Sequence, residues 1–127
     1  MAKREVRTGS APAPGGAYSQ GIIANGFLYT AGVGPIDAGS GEVVGSTIEE
    51  QTEKVMANLA EILKAAGLDF SDVVKSTVHL QDSPRDFPGF NTTYQAHFEQ
   101  PYPVRTTVGS QLAKILVEID FVAALRG

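Results

Sequence analysis

The most constraining feature of this chain is an alternating apolar and acidic segment close to its end. Successive side chains of a β-strand point to opposite faces of the sheet, so this segment divides into two sets. One set is continuously apolar and predicts a face packed under helices. The other combines two carboxylates with apolar residues, which suits neither an ordinary core nor an ordinary surface. The apolar set is Val117, Ile119, Phe121 and Ala123, and the mixed set is Leu116, Glu118, Asp120 and Val122.

A single arginine precedes this strand and follows a stiff segment. Pro101 and Pro103 fix their own φ angles and favour extended geometry in the residues before them, so Arg105 should follow a non-helical lead-in. A guanidinium is always charged and its planar fork matches a carboxylate. We therefore interpret the mixed face as the lining of a polar pocket that contains Arg105. The alternative is a surface arginine and the solvated face of an antiparallel strand.

Length and composition restrict the class of protein. The 127 residues predict one domain, 1–127, and the chain is 43% hydrophobic and 19% charged. The net charge is −4 and Lys3-Arg4 is the longest basic run, which argues against nucleic acid as a partner. The absence of cysteine excludes disulfides and thiol nucleophiles. We expect no membrane partner and a cytoplasmic location, because there is neither a signal-peptide pattern nor an apolar run of membrane-spanning length.

Local signals predict most of the strands. Asn25-Gly26 lies between two apolar runs and is typical of a two-residue hairpin turn in which both residues take positive φ. We predict the strands of this hairpin at about 21–24 and 27–32. Two further strands are predicted at 4–8 and 72–80. The glycine- and proline-rich segment 9–16 should run extended along the surface and deliver Tyr18, as a packing anchor or a site residue.

Two helices are predicted between the strands. Ser46-Thr47 followed by Glu49-Glu50 predicts a capping box, and the helix should continue to residue 66 and stop at Gly67. The second helix is placed at about 88–98, because Pro88 would lie uncomfortably deep in a helix that began at residue 84. Asn91 falls inside it and could point to solvent or into a pocket.

This order of elements predicts an α+β domain with a mostly antiparallel sheet covered on one face by two helices. The other face of the sheet is too apolar to stay wet and too acidic for an ordinary core. We expect a homo-oligomer that covers this face, with a pocket at a subunit boundary.

Several stretches together resemble the RidA/YjgF/UK114-type family of reactive intermediate deaminases, and the likeness extends over almost the whole chain. The matching stretches are Ala11-Pro through Ala17-Tyr-Ser-Gln-Gly21, Ala31-Gly32, Ala65-Ala-Gly-Leu68, Val74-Lys-Ser-Thr-Val78, Phe90-Asn-Thr-Thr-Tyr94, Pro103-Val-Arg-Thr-Thr-Val108 and Val117-Glu-Ile-Asp120. The resemblance implies a chorismate-mutase-like homotrimer of the bacillary type. Its three clefts would lie between subunits and would need no metal or organic cofactor.

The resemblance also implies an activity and roles for residues. Members hydrolyse reactive enamines and imines such as 2-aminoacrylate and 2-iminopropionate to 2-keto acids and ammonia. The carboxylate-binding arginine falls on Arg105, the acid that handles water and protons on Glu118, and the loop tyrosine on Tyr18. Substrate contacts fall on Asn91 and on the backbone of Gly32 and of two further residues, Ala31 and Thr107. Asp120 stays open as an alternative to Glu118.

Departures from the family pattern keep other functions open. Ala31 and Val33 stand where close relatives carry a hydroxyl and an amide, and Thr107 stands where many carry cysteine. A trimer that binds small carboxylic acids without catalysis is therefore the main alternative, followed by a specialised catabolic hydrolase of the same fold. The low basic charge, together with His79 and His97 in no recognisable motif, argues against an endoribonuclease. A single cleft arginine argues against chorismate mutase, whose substrate is a dianion.

Overall fold

The computed structural model describes residues 2–127, which form six strands and two α-helices. In chain order the elements are β1 (Arg4–Val6), β2 (Gly21–Ala24), β3 (Phe27–Thr30), α1 (Ile48–Ala65), β4 (Val73–Leu80), α2 (Ser83–Gln95), β5 (Val104–Gly109) and β6 (Val117–Ala124), with a short 3-10 turn at Phe70–Asp72. The predicted α+β class is confirmed.

One sheet contains all six strands in the order β1-β2-β3-β6-β4-β5. Every neighbouring pair is antiparallel except β4 and β5, which are parallel and are joined through α2. Strand β6 therefore lies inside the sheet, between β3 and β4. The predicted mostly antiparallel sheet is confirmed, and the last strand of the chain lies near its middle.

The two faces of β6 differ as the alternation predicted. Its apolar set is fully buried, with Val117, Ile119 and Ala123 at 0% and Phe121 at 1% exposure, and it packs beneath the helices. Glu118, Asp120, Val122 and Ala124 are half-buried on the other face. Leu116 precedes the strand and packs against the core, so its assignment to the mixed face was wrong.

The open face of the sheet also exposes large apolar side chains. Phe27 and Tyr29 of β3 are 37% and 45% exposed, and Val104 and Val108 of β5 are 66% and 39% exposed. These residues lie on the face that α1 and α2 do not cover.

The helix α1 begins and ends as predicted. The Thr47 hydroxyl accepts a hydrogen bond from the Glu50 amide, and the Glu50 carboxylate accepts one from the Thr47 amide. At the other end, Gly67 adopts a φ of 75°, and its amide donates to the Lys64 carbonyl. A residue with a side chain would be strained there, which is why the glycine ends the helix.

The second helix differs from the prediction of 88–98. It begins at Ser83, because the Asp82 carboxylate caps the Arg85 amide and Pro84 suits the first turn. Pro88 lies inside the helix, where it removes one backbone hydrogen bond but does not break the element. The helix ends at Gln95, so residues 96–98 lie outside it.

The hairpin at Asn25-Gly26 is confirmed, with φ angles of 52° and 87° at its two turn residues. Its second strand ends at Thr30 and not at residue 32, because the pairing with β6 is interrupted there. Strand β1 ends at Val6, two residues earlier than predicted.

Neither α-helix of residues 2–127 is long and apolar enough to cross a membrane.

Candidate functional site

The interruption between β3 and β6 shapes the first part of the site. Tyr29 pairs with Val122, whereas the next contact of the same two segments is the isolated bridge between Val33 and Ile119. Between these two contacts the segment that follows β3 contains one residue more than the facing part of β6, as in a β-bulge. The Thr30 hydroxyl accepts the Phe121 amide hydrogen bond at 2.9 Å in place of a backbone carbonyl. Bulges of this kind redirect the backbone next to functional sites.

The redirected backbone brings Gly32 directly against Glu118. A Cβ atom added at Gly32 would lie 2.7 Å from Oε2 and 2.9 Å from Cδ of that carboxylate. Real Cβ atoms do not approach other atoms so closely, so only glycine allows this arrangement. The Glu118 carboxylate therefore lies directly against the main chain of Gly32, within a cleft of about 300 Å³. The cleft is also lined by Tyr18, Ala31, Val33, Ile36 and Ile115.

The N-terminal segment reaches this cleft because one buried side chain holds it. Gln20 is 4% exposed, and its amide donates to the carbonyls of Ala11 and Pro12 and exchanges hydrogen bonds with the backbone of Thr8. The segment then delivers Tyr18, which is 54% exposed and whose hydroxyl accepts a hydrogen bond from the Gly15 amide at 2.9 Å. A residue so exposed lines the cleft and is not a packing anchor.

Two buried amides of α1 hold main chain that lines or adjoins this cleft. Asn58 is 1% exposed and donates to the carbonyls of Gly34 and Ile36, at 3.0 and 2.9 Å. Gln51 accepts from the Leu116 amide and donates to the Gly45 carbonyl. The loop between β3 and α1, residues 31–47, is thus hydrogen-bonded to α1 at several points, and the packed helix fixes its position.

The second part of the site surrounds Arg105 on β5. Its Nη1 donates to Oδ1 of Asn91 on α2 at 2.9 Å, so Asn91 points inward, towards the arginine. A cleft of about 280 Å³ opens beside this pair and is also lined by Tyr94, Gln95, Tyr102 and Pro103. The non-helical lead-in predicted for Arg105 is confirmed, since the strand begins at Val104 after the two prolines.

No ion pair within residues 2–127 involves Arg105, although this residue is half-buried. Its Cζ atom instead lies 5.6, 5.5 and 4.9 Å from the ring centroids of Phe87, Phe90 and Tyr94. A half-buried cation without a carboxylate partner keeps hydrogen-bond donors available for an anion. This part of the site can therefore bind a small carboxylate.

Within one chain the two parts lie on opposite faces of the sheet, so the mixed face of a chain does not share a pocket with the Arg105 of that same chain. Arg105 pairs with Ser76, which is fully buried under the helices, whereas Glu118 pairs with His79 on the open face. The period of two along β4 separates these positions by an odd number of residues. Arg105 therefore faces α2, while Glu118 faces away from it. Thr107 lies on the Arg105 side, opposite Val78.

The two candidate acids of β6 differ in their surroundings. Glu118 lines the cleft with Tyr18 and Gly32, whereas Asp120 pairs with Thr77 and does not line that cleft. Burial raises the pKa of Asp120, and the charges of His79 and Lys75 on the same face partly oppose this rise.

A larger cleft, of about 440 Å³, lies between the 3-10 turn and the chain that follows α2. It includes Asp69, Phe70 and His97 but neither Arg105 nor Glu118. Asp69 there is already paired with Arg126 at 3.1 Å. Size alone does not make it the reactive site.

The two histidines have structural partners. Nδ1 of His79 lies 2.7 Å from the Ser110 hydroxyl, and Nε2 of His97 lies 3.0 Å from the Glu53 carboxylate. Among the side chains of residues 2–127, no three or more His, Asp or Glu groups converge in a way that could hold a metal ion.

A model of the endoribonuclease L-PSP family matches residues 8–125. The chain belongs to this family. The resemblance to the RidA/YjgF proteins is thereby confirmed, because relatives of this chain carry the names RidA and YjgF. The chain is 43% identical to a RutC family protein of Pyrococcus horikoshii, over 95% of this chain and 97% of that one.

Two other relatives carry names that describe chemistry. The chloroplastic Reactive Intermediate Deaminase A of Arabidopsis thaliana is 41% identical, over 97% of this chain and 66% of the Arabidopsis protein. The 2-iminobutanoate/2-iminopropanoate deaminase of Capra hircus is 38% identical, over 83% of this chain and 76% of the goat protein. The crystal structure of RidA from an Antarctic Psychrobacter superposes with a TM-score of 0.90 at 33% identity, over 96% and 99% of the chains.

The sequence reasoning did not foresee the polar residues that hold this L-PSP site in place. Gln20, Gln51 and Asn58 are buried amides that fasten loops to the core. A signal for the last two was present, because both polar residues fall among the apolar positions of α1. The contact of Arg105 with the aromatic stripe of α2, which consists of Phe87, Phe90 and Tyr94, was not foreseen either.

Proposed function

We propose that this protein hydrolyses reactive enamines and imines of the 2-aminoacrylate and 2-iminopropionate type to 2-keto acids and ammonia. The observation that carries the proposal is the guanidinium of the half-buried residue Arg105, which Asn91 holds and no carboxylate of residues 2–127 neutralises. Relatives named reactive intermediate deaminase and 2-iminobutanoate/2-iminopropanoate deaminase support the same chemistry.

The proposal requires a second copy of the chain. Arg105 and Glu118 lie on opposite faces of one sheet, so a substrate that contacts both must lie between two copies. The exposed apolar side chains of the open face favour such an assembly. We propose a chorismate-mutase-like homotrimer in which the Arg105 cleft of one protomer meets the Glu118 cleft of its partner.

In the proposed reaction Arg105 binds the substrate carboxylate through two parallel N–H donors. This contact orients the carbon of the C=N bond towards Glu118. Water adds to that carbon, the carboxylate of Glu118 takes a proton from the water, and the proton passes to the nitrogen. The resulting carbinolamine releases ammonia and leaves the 2-keto acid. Positioning and one proton relay suffice, because imines are intrinsically reactive.

The remaining site residues have supporting roles in this proposal. Tyr18 closes the cleft beside Glu118, and its hydroxyl can bond the substrate or the water. The backbone groups of Ala31, Gly32 and Thr107 contact the substrate, which makes these roles independent of their side chains. Asp120 is outside the Glu118 cleft, so Glu118 is proposed as the working acid.

The test compares wild-type protein with Arg105→Ala in a coupled assay that generates 2-iminopropionate from an amino acid. We expect wild-type protein to release ammonia faster than buffer, and Arg105→Ala to lose this acceleration while keeping its oligomeric state. Unreduced deamination by a folded Arg105→Ala variant would refute the role of the arginine.

The main alternative is a trimer that binds small carboxylic acids without catalysis. It is favoured by Ala31 and Val33, which give the Glu118 cleft no polar side-chain group at positions beside the acid. Binding of 2-ketobutyrate by calorimetry, with ammonia release no faster than in buffer, would establish this alternative.

A further inference from the structure

Three aromatic rings of α2 surround the charge that the proposed reaction uses. Phe87, Phe90 and Tyr94 are spaced by three and four residues, which places them on one side of the helix. Adjacent rings lie 6.3 and 5.3 Å apart, and all three have their centroids within 5.6 Å of Cζ of Arg105. We call these three residues the aromatic cage.

The aromatic cage and Asn91 act on different parts of the guanidinium. A ring attracts a cation through its quadrupole and takes up no N–H donor. Asn91 accepts one hydrogen bond, from Nη1. The charge is thus held in place by neutral groups, and most of the N–H donors stay free. A carboxylate in the place of the cage would hold Arg105 equally well but would neutralise it.

The ring of Tyr94, and not its hydroxyl, takes part in holding the guanidinium. The residue is 4% exposed, and its hydroxyl makes no hydrogen bond of good geometry with residues 2–127. Burial raises the pKa of Tyr94, which outweighs the lowering by the nearby Ser76 hydroxyl and by Arg105. The phenol therefore stays neutral, and it does not compete with a substrate carboxylate for the guanidinium.

We propose that Phe87, Phe90 and Tyr94 are positioning residues that fix the Arg105 guanidinium for a small carboxylate ligand. This inference rests on the proposed role of Arg105 and extends it to a specific device. Phe90 is fully buried and also supports the core, whereas Phe87 is 36% exposed at the outer side of the cage. Phe87 is therefore the member whose replacement tests the device with least effect on folding.

The experiment compares wild-type protein, Phe87→Leu and Phe87→Tyr. Leucine keeps an apolar side chain but has no quadrupole, and tyrosine restores the ring. The first readout is nitrogen-15 NMR of the Arg105 side chain, assigned by its loss in Arg105→Lys. We expect faster rotation of the guanidinium in Phe87→Leu and recovery of the wild-type rate in Phe87→Tyr.

The second readout is carboxylate recognition. Phe87→Leu should raise KM for the imine, and Kd for 2-ketobutyrate, about two- to fivefold, with kcat unchanged, because a carboxylate contact stabilises the ground state and the transition state alike. Phe87→Tyr should restore both constants. A structural role alone would lower the amount of folded enzyme and would not raise KM.

Unchanged guanidinium rotation in Phe87→Leu would overturn the inference, as would faster rotation with unchanged KM and Kd. Wild-type protein that neither deaminates imines nor binds 2-ketobutyrate would instead refute the proposed function. In that case the rotation rates would still decide whether the rings hold the guanidinium.

Discussion

Replacement of Gly32 by alanine should disable the Glu118 cleft without unfolding the protein. The added Cβ would lie 2.7 Å from Oε2 of Glu118, which is about 0.7 Å inside an ordinary contact distance of 3.4 Å. The backbone of Gly32 is not in the left-handed region, so alanine is tolerated there. The carboxylate is the flexible end of its side chain and should yield by several tenths of an ångström.

A displacement of this size is large for a group that must meet a bound water and an imine carbon. Misplacement of a reacting group by about 1 Å can cost on the order of a hundredfold in rate, so we expect a loss of roughly ten- to a hundredfold in kcat/KM. The assay is ammonia release from 2-iminopropionate, with thermal unfolding to confirm the fold.

The matched control is Gly9→Ala, in the segment before the cleft, where an added Cβ meets nothing within 4 Å. It should retain wild-type turnover. Full activity in a folded Gly32→Ala variant would refute the view that the position of the Glu118 carboxylate against Gly32 matters for the reaction.

Three further changes test other parts of the structure. Arg105→Lys keeps the charge but loses the planar fork, and should raise KM on the order of ten- to a hundredfold in the same assay. Thr47→Ala removes the capping box of α1 and should lower the free energy of unfolding by about 1 kcal/mol, measured by urea denaturation. Asp120→Asn should stabilise the protein at neutral pH. Burial raises the folded-state pKa of Asp120, so the contribution of Asp120 to the free energy of unfolding falls as pH rises from the ordinary carboxyl range through that raised pKa. Urea denaturation should show that the advantage of Asp120→Asn disappears below the ordinary pKa of aspartate, and an advantage that persists in acid would contradict this cause.

Local chemistry made much of the fold predictable. The positive φ angles that Asn25-Gly26 requires, the capping box at Thr47 and the alternation of β6 all involve interactions close in sequence. The boundaries of α2 were not predictable from Pro88 alone. The cap at Asp82 and the packing of the aromatic stripe outweigh a single missing backbone hydrogen bond.

The sequence named candidate site residues but did not show how they are arranged in space. The alternation of β6 correctly separated Glu118 from the core, but no local pattern reveals which face of the sheet a residue of β5 occupies. That depends on the parallel register between β4 and β5, which pairs Arg105 with the buried Ser76. The bulge that brings Gly32 against Glu118 likewise depends on pairing between distant segments.

Mixing of two inactive variants tests most directly whether the reactive cleft joins two copies of the chain. Arg105→Ala and Glu118→Gln are each expected to be inactive alone. If each cleft takes its arginine from one protomer and its acid from the partner, co-refolding equal amounts should leave about one quarter of the clefts with both native residues. Ammonia release from 2-iminopropionate at about one quarter of the wild-type rate is therefore the predicted result. A co-refolded mixture of mixed oligomers no more active than its two parents would contradict the account.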